Sequence, residues 1–216
     1  VQTLFTVIFD PEFLKTVWYS AARILGGFFT ALTLGTVLGW VASRFWVVET
    51  LLRPITAVIK ATPVASFIIL VLLWFSGKNL SVIISMLMVF PVIYMNVLEG
   101  IRSADEKLLE MAQVFRLSVG KKLLYLYLPA VAPFFVSACS VSLGLCWKSG
   151  IAAEVIGPPD GSIGAVFYQA KIFLQTSELL AWTVVVVAVS VAFEKLFMFL
   201  LQLVLKKLKM EDVLNG

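Results

Sequence analysis

Two stretches of this chain carry no charge over lengths that water-facing structure cannot hide: Leu80 to Leu98, LSVIISMLMVFPVIYMNVL, and Leu123 to Trp147. About 20 apolar residues in helical form cover the ~30 Å hydrocarbon core of a bilayer. The runs lack two-residue alternation and far exceed the ~10 residues of a spanning strand, so helices are predicted rather than a barrel. With 61% apolar and 14% charged residues and a mean hydropathy of +1.00, the rest of the chain agrees. A soluble domain would leave far too much hydrocarbon in water.

The reading is an all-α membrane protein, one domain over residues 1–216. Five spans are predicted at about 17–43, 55–75, 80–98, 123–147 and 179–201, with a polar loop at 99–122. Lys60 falls near the start of the second, and Glu194 and Lys195 near the end of the fifth, where long side chains reach the interface. The first span opens on Asp10 as N-cap, Pro11 at the first helical position and Glu12 in the first turn. A helix from there to Ser43 outruns the bilayer, so it is expected to tilt, to bend near Gly26 and Gly27, or to begin at the interface. The chain opens on Val1 rather than Met, and a sixth, N-terminal span is allowed for. Gly27, Ala31, Gly35, Gly39 and Ser43 recur every four residues and predict a close helix contact.

Orientation follows from the basic residues. Arg44, Arg53, Arg102, Lys107, Arg116, Lys121, Lys122, Lys206, Lys207 and Lys209 flank one side; Lys15, Lys78, Lys148 and Lys171 flank the other. The richer side is expected to be cytoplasmic, which puts the 99–122 loop and the C-terminus inside. The net charge of +4 is spread beside apolar runs with no basic stripe among aromatics, so no nucleic-acid partner is expected.

The chemistry is sparse. There is no histidine, no phosphate-binding Gly-Lys loop and no nucleophile elbow, so an enzyme is not expected. Cys139 and Cys146 lie seven apart on one face of the fourth span and are read as packing residues, with no metal site. Prolines at 63, 91, 129 and 133 interrupt spans, and interrupted helices are tolerated where neighbours or water satisfy the freed carbonyls. Pro63, Ser66, Pro91, Asn96 and Ser140 are therefore pathway candidates, although plain kinks explain each of them too. Lys148 to Glu154 and the following Gly157, Pro158, Pro159 and Gly161 are read as dipping into the membrane or packing across the outer mouth. Glu154 at that depth needs Lys148 or a backbone donor, and a structural ion pair is expected.

The most specific stretch is Glu110 to Pro129, EMAQVFRLSVGKKLLYLYLP. Ser103 to Leu117 is predicted as an amphipathic helix: Leu108, Met111, Ala112 and Phe115 form its apolar side, and Ser118 caps a second helix from Val119. Such a loop either docks on a partner or lies on anionic lipid through Arg102, Lys107, Lys121 and Lys122. Glu110-Met111-Ala112 and, about twenty residues on, Leu128-Pro129 resemble the coupling motif of binding-protein-dependent ABC importer permeases. Arg53-Pro54, Thr62 to Ala65, Phe90-Pro91, Asn96 to Gly100 and Trp147 to Gly157 extend the resemblance over most of residues 16–195, nearest the sulfonate, nitrate and taurine group.

The resemblance implies a type I importer bundle in a bacterial cytoplasmic membrane. It implies a cytoplasmic ATPase dimer that holds the ATP and Mg, a second permease copy or homologue, and an extracytoplasmic binding protein. No cofactor is implied on this chain. Glu110 would orient the docked helix, Met111, Ala112 and Phe115 would fill a cleft on the ATPase, Arg116 would meet an acidic rim, and Pro129 would pass the motion into the fourth span. Two positions depart from the family pattern. Met111 replaces alanine, and Arg116 replaces the glycine six residues after the glutamate, so the turn there is expected either displaced towards Ser118 or Gly120 or built differently. A secondary transporter or channel would account for the broken helices, and a non-transporting scaffold for the packing stripe and the loop.

Overall fold

The computed structural model describes residues 2–207, and every described element is helical. The helices are α1 (Gln2–Ile8), α2 (Phe13–Arg44), α3 (Trp46–Ala61), α4 (Val64–Trp74), α5 (Gly77–Arg102), α6 (Glu106–Val114), α7 (Val119–Ile156), α8 (Ile163–Ile172) and α9 (Thr176–Lys207). Lys209 and the C-terminus itself lie outside the described residues.

Four of these helices, α2, α5, α7 and α9, are long and apolar enough to cross a membrane singly. The second expected span is no straight rod. α3 and α4 together have the length and apolarity of one span but meet at a 108° bend. The cause is local: Pro63 disfavours helical backbone in the residue before it, and Thr62 sits at φ −80°, ψ 131°. The first span is longer than expected, and its start differs. Asp10 does not cap α2; its Oδ1 accepts from the Glu12 amide at 2.8 Å in a turn ahead of the helix, which begins at Phe13. From there α2 runs unbroken through Gly26 and Gly27 to Arg44.

The core is built around α2 and α5, whose contact is the most extensive in the molecule. The four-residue stripe supplies it. A methyl placed on Gly27 would fall on the Val82 carbonyl oxygen, one on Gly35 would come within 2.9 Å of Ile93 Cγ2, and one on Gly39 within 3.0 Å of Val97 Cβ. Only hydrogen at these positions lets the two backbones come this near, and in lipid close packing of this kind replaces the drive of water exclusion. Phe28, Ile24, Val89, Ile93, Leu143 and Trp147 complete the centre, together with Cys139 and Cys146, both fully buried. By contrast α9 buries only Ala181, Trp182, Val185 and Leu205 and turns a long apolar surface outward.

The fourth expected span extends at both ends. α7 includes Lys148 to Glu154 as ordinary helix, so that stretch continues the fourth span instead of forming a separate element; the helix stops at Gly157 before Pro158 and Pro159. Near its start, Leu123 to Tyr127 form a π turn in which the Leu128 amide donates to Leu123 five residues back. Pro129 follows. It has no amide to give the carbonyl four residues behind and its ring crowds that carbonyl, so the wider turn ahead of it relieves the conflict.

Candidate functional site

One end of the bundle gathers the C-terminal ends of α2 and α5, the start of α7 and the last turns of α9, where Leu205 packs on Ala132. It carries Arg44, Arg53, Arg102, Lys121, Lys122, Lys206 and Lys207, and from it α6 projects between α5 and α7. Asp105 starts α6, its Oδ1 accepting from the Lys107 amide at 2.8 Å. The helix is shorter than predicted: Ser103 caps α5 instead, and Phe115 to Leu117 form the exit turn.

That turn answers the question of the missing glycine. The Leu117 amide donates to the Ala112 carbonyl at 2.9 Å and the Arg116 amide to Gln113 at 3.0 Å, the paired bonds of a Schellman C-cap. Arg116 occupies the left-handed position, φ 50°, that glycine normally takes. The turn is therefore neither displaced nor rebuilt; an L-residue accepts the strain. Ser118 stands at the N-cap of α7 with extended backbone, but its side chain makes no capping bond.

The apolar face of α6 is rotated from the expected one. Ala112 is fully buried against its own chain, with Leu109 beside it half-buried, so Ala112 cannot fill a partner's cleft. The outward strip is Leu108, Met111, Val114 and Phe115, the last two 79% and 71% exposed, continued past the turn by Val119. Glu110 and Arg116 are exposed at its margins. The π turn and Leu128, with Trp40, Val97 and Ile101, line an apolar groove of about 490 Å³ under the start of α7.

The pathway candidates separate. Pro91 and Asn96 line one open cleft of about 260 Å³ on α5, with Val92, Met95 and Lys60 of α3. Pro63 and Ser66 are exposed at the bend and line no part of it. Ser140 donates to Glu194 at 3.0 Å and ties α7 to α9. Lys148 is exposed and does not pair with Glu154. Glu154 is wholly buried; its Oε2 accepts from Ser20 Oγ at 2.6 Å and from the Gly164 amide at 3.4 Å, while the Ile163 amide donates to Ser20 Oγ at 2.9 Å. The carboxylate thus serves the unpaired amides at the N-terminus of α8, where the helix dipole favours negative charge. The expected ion pair is replaced by one hydroxyl and one backbone donor.

Sequence reasoning missed two residues. Lys60, read as an interfacial anchor, is a wall of the cleft. Glu49, unremarked, is buried at the loop end and accepts from Arg53 Nη2 at 3.1 Å and from Arg102 Nη2, fastening α3 to the last turn of α5 just before the loop. The Glu49/Arg53 pair was legible as an i, i+4 pair in the favoured order; the link to Arg102 spans 53 positions and was not.

The sequence pattern of the binding-protein-dependent transport system inner membrane component family matches residues 31–210. The chain belongs to that family. Among family relatives, a putative aliphatic sulfonates transport permease of Bacillus subtilis (strain 168) is 29% identical over 187 residues, 86% of this chain and 67% of that protein. The taurine transport system permease of Escherichia coli (strain K12) is 26% identical over 215 residues, 97% and 75% of the two chains. The nitrate import permease of Synechococcus elongatus is 25% identical over 185 residues, 76% and 66%. A crystal structure of an amino acid ABC transporter superposes with a TM-score of 0.66 at 17% identity, covering 96% of this chain and 99% of that one, and establishes the shared fold. The family member is thus an inner-membrane transport component of the importer-permease type, with the helices read from its sequence and one of them broken.

Proposed function

We propose that this chain is the membrane-spanning permease of an ATP-driven importer for a small polar or anionic solute of the sulfonate or nitrate kind. The loop end faces the cytoplasm, where α6 docks on an ATPase dimer. A second permease copy or homologue completes the pathway, and an extracytoplasmic binding protein delivers the solute. The observation that carries the reading is the outward strip of Leu108, Met111, Val114 and Phe115 on a short, capped helix at the basic end of a family member. A helix of that size with four exposed apolar side chains fits a hydrophobic groove on another protein. ATP-driven movement of that groove would then shift the start of α7.

The test is uptake of labelled taurine, isethionate and nitrate by cells lacking the endogenous chain and supplied with wild type or Met111→Asp/Phe115→Asp. Wild type should restore import of one of the three. The double variant should accumulate in the membrane yet lose import and fail to retain the ATPase on detergent purification. Full import by the double variant would place the strip on lipid and refute the docking.

A further inference from the structure

We propose that the cleft walled by Lys60, Pro91, Met95 and Asn96 is an anion-transit site, with the Lys60 ammonium as its charge and a small monoanionic oxyanion as its occupant. The proposal rests on the reading of the chain as an anion permease and says where the anion passes.

Lys60 Nζ lies 3.6 Å from Met95 Sδ. Met95 stands seven residues before the end of α5 at Arg102, about 10 Å along the helix from its basic end. Pro91, one turn further in, is near the middle of that 26-residue helix. The ammonium stands at that level on the exposed flank of the bundle, beside apolar residues of α5 and away from the basic residues of the loop end. Charged groups there either pair with one another or mark a polar route.

Among the described residues no carboxylate forms an ion pair with Lys60; its one hydrogen-bond contact is to a thioether, a weak acceptor. Glu99 lies one turn nearer the loop end of α5, outside the cleft lining, so the only formal charge lining the cleft is positive. The Asn96 amide gives one hydrogen to the Val92 carbonyl at 2.8 Å and has a second to offer.

Lys60 is the next-to-last residue of α3, two positions before Thr62 at the 108° bend, so the broken span brings its charge to the flank of α5, which carries Pro91 inside it. Two interrupted helices side by side are where polar groups are tolerated at membrane depth. The ammonium, a point charge on a flexible stem, attracts an oxyanion by charge rather than by a fixed geometry, and an arginine would supply the same charge. Conduction needs a site that attracts and then releases.

The experiment uses right-side-out vesicles from cells carrying the whole transporter and labelled isethionate or nitrate. Lys60→Arg should import within about twofold of wild type. Lys60→Gln should import at least tenfold more slowly at equal membrane abundance, and Lys60→Glu should show no import. Lys60→Met, which keeps the volume of the stem, replaces Lys60→Gln if that variant does not accumulate. Wild-type rates in the neutral variants, or an arginine variant as slow as glutamine, overturn the transit site and leave the permease reading intact. A wild-type chain that imports neither anion overturns both.

Discussion

Gly27→Ala tests the packing that holds the bundle together. The added methyl would meet the Val82 carbonyl oxygen, Ser85 Cβ at 2.8 Å and the Met86 amide nitrogen at 3.1 Å. Carbon contacts are most favourable at about 3.5–4.0 Å. Two of the three atoms belong to the α5 backbone, which cannot swing aside as a side chain would, so the helices must part by about 1 Å. Parting there also loosens Gly35 against Ile93 and Gly39 against Val97 on the same seam. Overpacking of this kind costs about 1–3 kcal/mol. The adjacent Gly26 is the internal control: a methyl there meets nothing within 4 Å, and alanine gains up to about 1 kcal/mol over glycine in a helix. The two substitutions add the same atoms to neighbouring positions of one helix and share that propensity gain, so they should differ by the overpacking cost, about 1–3 kcal/mol. The assay is equilibrium unfolding in mixed detergent micelles titrated with dodecyl sulfate, followed by helical circular dichroism. Equal midpoints for the two variants would refute the close approach of α2 and α5 at Gly27.

Arg116→Gly should stabilise the chain by about 1 kcal/mol in the same titration, since glycine accepts φ 50° without the penalty an L-side chain carries; a loss would show that the arginine side chain repays its strain elsewhere. Glu49→Ala should cost about 2 kcal/mol, the scale of a charge-assisted bond from a buried carboxylate discounted for the exposure of Arg53 and Arg102. In the Glu49→Ala/Arg102→Ala pair the two costs should add to more than the double variant loses; strict additivity would mean the bridge contributes nothing.

What the sequence made legible was what depends on short range or on long periodic runs. The uncharged stretches gave the spans around α5 and α7, the four-residue stripe gave the α2–α5 seam, and the motif spacing gave α6 and its family. The failures share a cause: each required knowing which distant residue lies opposite. Ala112 belongs to the apolar face of α6 by periodicity, but the side of that face given to the chain's own body is decided by tertiary packing. Glu154 was recognised as a carboxylate needing a partner, yet Ser20 is 134 positions away and Gly164 lies beyond a turn. Lys60 looked like an interfacial anchor because a hydropathy run cannot announce that it will bend by 108°. Arg116 shows the converse: the residue departed from the expected type while the turn kept its geometry, because the two backbone bonds that close it ask nothing of the side chain.

The 38 residues of α7 make a rod of roughly 57 Å, nearly twice the ~30 Å of bilayer hydrocarbon. One tip begins three residues after Arg116; the other holds Glu154, on which the amide end of α8 is fastened. Swinging such a rod by about 5° around either tip sweeps the opposite one through about 5 Å, the rise of a single helical turn. A turn of the rod at the loop end would thus reach the opposite end of the bundle as a displacement of about one helical turn, with no chain of side-chain switches in between.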